Sequence, residues 1–203
     1  MKKFGVLAFL MLMLGAFAFA APSAGDASVY FVTYYSNAGG PCVTGTAKTQ
    51  TAGAPDAVVR VINDGDTGNS LYASYYVFDD SQELQECCSC YVSPDGVNSE
   101  DVNNNLLGNV LTGKATTKGV IKVISSSVGD ATGNKPTAGL HGFATHIQRA
   151  QPTTGAFYVT EAPLLDGNLA SGEETMLETL CKFAIILGSG RGSCTCTPED
   201  YDF

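Results

Sequence analysis

The chain has 203 residues, with 11 lysines and arginines against 20 aspartates and glutamates and a formal net charge of −9. Beyond the first few residues the basic side chains are scattered singly from Lys48 to Arg191. No cluster can neutralise a row of phosphates, which excludes a nucleic-acid or anionic-membrane surface. The length suits one domain with a sizeable core, and the acidity favours solubility.

In chain order, Met1-Lys2-Lys3, an apolar run over residues 4–20 and the small-residue site Ala18-Phe19-Ala20 make the three parts of a secretory signal peptide over residues 1–20. Ala21 rather than Cys follows the expected cut, so no lipid anchor is implied, and no later run is long enough to cross a bilayer. Cleavage removes Lys2 and Lys3 but no acid, which takes the formal charge from −9 to −11. The expected product is secreted or periplasmic, with no membrane span.

Residues 21–56 hold one strand-like stretch, 29–35, and a Gly/Thr-rich loop around Gly39-Gly40-Pro41-Cys42. Residues 57–203 form the main body, and 21–203 read as one domain. Residues 57–62 are β-branched and stop at the turn signal Asn63-Asp64-Gly65. Residues 71–78 are apolar on both faces, which predicts a central strand between two layers. Residues 87–92 end at Ser93-Pro94-Asp95-Gly96, and 97–117 read as a polar excursion. Further strands are predicted over 119–126, 139–148 and 155–160. About seven short strands separated by turns predict a mostly β fold, an antiparallel β-sandwich of Ig-like or Greek-key type.

One helix is predicted over 171–187. Ser171-Gly172-Glu173-Glu174 has the form of a capping box, and Gly188 supplies the stop. From Met176 to Leu187 the run is apolar nearly all round, so the helix is expected to be buried.

Several blocks resemble an uncharacterised family of exported proteins of soil bacteria. They are VVRVINDG at 58–65, YVFDDSQELQECCSC at 76–90, SPDG at 93–96, NVLTGKATTKGVIKVISS at 109–126, ATHIQ at 144–148, and 169–196 with its LCxxxxxxGSGxGxCxC ending. The resemblance covers most of the chain from residue 57 onward and implies no activity. The chain departs from that family in lacking a cysteine near Tyr72 and in the close spacing of Cys194-Thr195-Cys196.

The cysteines are the most specific chemistry. Cys87, Cys88 and Cys90 lie on a predicted strand, with Cys88 and Cys90 facing one way and Cys87 the other. Cys181 lies mid-helix, with Cys194 and Cys196 just past it. In an oxidising compartment these six are disulfide candidates, and bridges that all cross between the two groups leave six pairings. Such bridges pin the helix and tail to the sheet. Cys42 is the odd thiol, free or intermolecular. The alternative for the same cysteines is metal binding or redox exchange as thiolates.

His141 and His146, five apart, point to opposite faces of a strand and are not joint ligands. His146 is the better candidate for function, although a hydrogen-bonded structural histidine is the plainer account. Asp64, Asp66 and Asn69 alternate as in a calcium loop but lack its closing Glu, and a turn explains them equally well. Asp79 and Asp80, with Glu83 and Glu86 nearby, allow paired carboxylates, but on a short connecting segment they read as solvated acids. Gly188-Ser189-Gly190-Arg191-Gly192 follows a helix instead of preceding one, so it is no phosphate cradle but a flexible lead-in to Cys194. The nine tyrosines, with no tryptophan, are assigned to core packing, and the terminal Phe203 carries no membrane-barrel reading without long membrane strands.

The expectation is an exported, non-catalytic structural or interaction protein without a cofactor; the sequence names no partner, and a protein or cell-surface component is compatible with it. A metal-binding or redox protein using the cysteine cluster, and a hydrolase with His146 as base, are the alternatives.

Overall fold

Nine strands and one helix follow from this pattern in a computed structural model that describes residues 29–36, 55–149, 157–188 and 190–197. The expected signal peptide and Cys42 lie outside the described residues. The strands are β1 (Tyr30–Ser36), β2 (Val58–Asn63), β3 (Leu71–Asp79), β4 (Leu84–Val92), β5 (Val97–Asp101), β6 (Lys118–Ser126), β7 (Leu140–Arg149), β8 (Phe157–Pro163) and β9 (Leu165–Asp166). The helix α1 spans Ser171–Leu187.

One sheet has the order β4-β3-β6-β1-β9 and the other β5-β2-β7-β8, with every pair antiparallel. Only β3–β4 and β7–β8 pair as sequence neighbours within a sheet, so the chain repeatedly crosses between the two. Phe31 and Tyr35 of β1, Tyr75 and Val77 of β3, Val59 and Val61 of β2 and Ala144 of β7 meet in one apolar cluster between the sheets. This is the expected β-sandwich.

β3 is the central strand that its two-sided apolarity predicts. Leu71, Ala73, Tyr75 and Val77 enter the inter-sheet core, while Tyr76 and Phe78 enter a second core on the outer face. Leu177, Cys181 and Ala184 of α1 close that second core. The order of layers is therefore sheet, sheet, helix.

Two expectations about the helix are corrected. The helix is buried along one stripe only: Phe183, Ile186 and Leu187 are 57%, 74% and 72% exposed, because a single sheet covers it from one side. The capping box does not form, since Ala170 is the N-cap and makes no side-chain cap bond. Glu173 instead accepts hydrogen bonds from the Tyr30 hydroxyl (3.0 Å) and Lys122 Nζ (2.5 Å), tying the helix start to β1 and β6. At the helix end, a Cβ on Gly188 would lie 2.0 Å from the Arg191 carbonyl oxygen, so close backbone approach requires the glycine there.

The polar excursion is also structured. It holds β5 and a π-helical turn (Val102–Leu106), and it buries Asn98 and Glu100 completely. The acids read as solvated divide. Asp79 is buried and accepts the Ser81 and Glu83 amides at 2.8 and 2.9 Å and Gln85 Nε2 at 2.7 Å. Glu86 is fully buried and accepts the Asn109 amide, while Asp80 pairs with Lys118 at the surface.

Candidate functional site

Alternation along β4 sends Cys87 to the outer core and Cys88 and Cys90 to the inter-sheet core. Cys87 is bonded to Cys181, Cys88 to Cys194 and Cys90 to Cys196, which is one of the six crossing pairings. The glycine-rich segment is not a loose lead-in. The Cys87 amide donates to the Gly192 carbonyl at 3.0 Å and the Cys194 amide to the Cys87 carbonyl at 3.3 Å, so Ser193 bridges β4 in parallel.

Glu100 then clasps the tail. Its Oε1 accepts the Thr197 amide at 2.9 Å and Asn98 Nδ2 at 2.9 Å. Burial raises the Glu100 carboxyl above its ordinary range, against the lowering effect of those hydrogen bonds. The Sγ atoms of Cys88, Cys90 and Cys196 lie within 4.8 Å of one another. All three are committed to disulfides and have no thiolate to offer a metal.

The turn between β2 and β3 uses its acids internally. Asp64 Oδ1 accepts the Asp66 amide at 3.0 Å and Oδ2 lies 3.1 Å from His141 Nε2, while the Asn69 side chain donates to the Thr67 carbonyl. His141 is thus placed with Asp64, apart from His146.

A different arrangement surrounds His146. At Pro163 the chain leaves β7, and at Leu165 it joins β1, crossing from one sheet to the other in a single residue. Leu164 is buried at the crossing, and a Cβ on Gly142 would meet its Cδ1 at 2.3 Å. The crossing leaves a groove of about 520 Å³ between the edges of the two sheets. Val32, Thr33 and Tyr34 of β1 form one wall, Thr160, Ala162 and Pro163 of β8 the other, and among the described residues no charged side chain lines it.

His146 lies in this groove, only 7% exposed, with its ring stacked on Tyr34 at 4.1 Å between centroids and 18° between planes. Nδ1 is buried without a hydrogen-bond partner among the described residues. Burial lowers its pKa, which favours the neutral ring. Tyr34 at 53% exposed and Leu165 at 74% leave apolar surface at the rim.

The sequence singled out His146 but not its neighbours. Tyr34 belongs to a segment whose tyrosines all read as core, and two-residue β9 has no sequence signal. Only the meeting of β1, β7 and β8 reveals the groove. No protein-family model, curated protein or solved structure matches this chain.

Proposed function

We propose that this chain is an exported, non-catalytic interaction protein whose contact site is the groove between β1 and β8. One observation carries the reading: a histidine with a buried, unpartnered ring nitrogen in an open apolar groove. A buried polar atom without a partner costs about 1–3 kcal/mol, a cost offset when a bound molecule supplies the missing hydrogen bond. Groove size and apolar lining with few polar groups also match a binding site. Three disulfides support a place outside the cytoplasm. A base at His146 would need an orienting partner, and Nδ1 makes no such hydrogen bond among the described residues.

The test is a titration of the oxidised protein with p-cresol, a neutral ring bearing one hydroxyl, followed by the NMR shifts of the His146 ring. We expect a saturable shift that weakens about tenfold in Tyr34→Ala, the scale of losing one aromatic stack. An unmoved His146 at millimolar probe would overturn the reading.

A further inference from the structure

The pairing of β1 carries the site one step further. β1 is paired along its whole length with β6, but with β9 only at Phe31 and Val32. The Val29 carbonyl accepts from Ser125 on the β6 side, and the Tyr30 carbonyl accepts from Gly167 on the β9 side. Backbone groups of successive strand residues point to opposite edges. Odd-numbered residues of β1 therefore bond β6, while Tyr30, Val32, Tyr34 and Ser36 present their N–H and C=O groups to the other edge, where the Tyr34 carbonyl also accepts the Thr33 hydroxyl at 3.3 Å. Leu165 and Asp166 of β9 pair the first part of that edge, and Gly167 receives Tyr30. At Tyr34 and Ser36 no strand is paired among the described residues, because the chain preceding Leu165 has turned away into the other sheet.

We infer that the groove receives an extended, uncharged polypeptide segment, which continues the line of β9 and adds a strand to β1 at Tyr34 and Ser36. This deepens the proposed function and rests on it. The backbone supplies the ladder, and alternate side chains divide between the groove and solvent. Among the described residues the lining holds no Asp, Glu, Lys or Arg, so it offers no partner to a charged side chain. A side chain entering the groove meets His146, and a Ser or Thr hydroxyl suits it because it can donate or accept for either ring tautomer. Tyr34 and Leu165 at the rim, with Tyr158 and Val159 on β8 at 63% and 53% exposed, supply apolar cover. The stretch of β1 edge without a paired strand and the His146 nitrogen without a partner among the described residues thus fall on the same side of the sandwich.

The probe is the capped peptide acetyl-Thr-Val-Thr-Val-Thr-amide, added to the oxidised protein and followed by backbone amide shifts and hydrogen exchange. We expect the Tyr34 and Ser36 amides to shift and become protected. Peptides N-methylated at alternate residues, in either phase, keep the side chains but lose the ladder and should bind at least about tenfold more weakly. Ser36→Pro removes one outward donor without touching the bonds to β6 and should weaken the parent peptide while the fold is retained. Equal binding of parent and N-methylated peptides would overturn strand addition. So would a peptide that leaves Tyr34 and Ser36 unmoved while p-cresol still shifts His146, and in that case the groove stands as a small-molecule site. If neither probe moves the groove, both readings fall.

Discussion

The two flanks of the sandwich differ in how fully they are determined. On the β4 side, three bridges, the Ser193 pairing and the Glu100–Thr197 bonds hold one short tail. On the β1–β8 side a two-residue strand closes half an edge, and a buried histidine nitrogen is left without a partner. The lesson is that covalent fastening is concentrated at one flank, and the proposed binding site lies at the other. A scaffold fastened at one flank tolerates an unsatisfied group and a free edge at the other, where a partner can complete them.

The largest effect that breaks this contrast is reduction. The bridges close separations of 94, 106 and 106 residues, and loops of about 100 residues are each worth about 4–5 kcal/mol in the chain-entropy model. A domain is stable by only about 5–15 kcal/mol in total, so reductant should abolish cooperative unfolding above room temperature. Removing the Cys90–Cys196 bridge alone, as the double alanine variant, should lower Tm by on the order of 10 °C. A fully reduced protein that melts at the oxidised midpoint would mean that the β4 flank is no more fastened than the other.

A smaller effect of opposite sign sharpens the contrast. His146→Leu exchanges an unsatisfied buried nitrogen for carbon, so thermal unfolding should show a gain of about 1 kcal/mol, while p-cresol binding is lost. A loss of stability would return His146 to a structural role.

The smallest effect concerns the tail clasp. Burial raises the Glu100 carboxyl in the folded state. Its contribution to stability is therefore fully present below the unfolded carboxyl range and is lost as pH rises through the folded value. Glu100→Gln keeps an acceptor for Thr197 and Asn98 but has no such titration. Asp80, lowered chiefly by the Lys118 hydrogen bond, and Asp130, lowered chiefly by Thr132, act with the opposite sign, so the difference between wild type and variant is what reads Glu100. Denaturant unfolding at pH 4 and pH 7 should show the variant gaining relative to wild type at the higher pH. An unchanged difference would remove Glu100 from the pH response.

The sequence alone determined the β class, the central place of β3, the split of Cys87 from Cys88 and Cys90, and the existence of α1. These follow from period-2 alternation, two-sided apolarity and the long apolar run, all of which act over neighbouring residues. Only the tertiary structure decided which of six cysteine pairings forms, because that depends on how the tail runs along β4. It also decided that Glu173 serves Tyr30 and Lys122 rather than a helix cap, and that Asn98, Glu100 and Glu86 are buried, since the partners that make those burials tolerable lie 23 to 97 residues away. The groove is the clearest case: it exists because one residue, Leu164, carries the chain between sheets, and no local pattern in β1, β7 or β8 encodes the space left where their edges diverge.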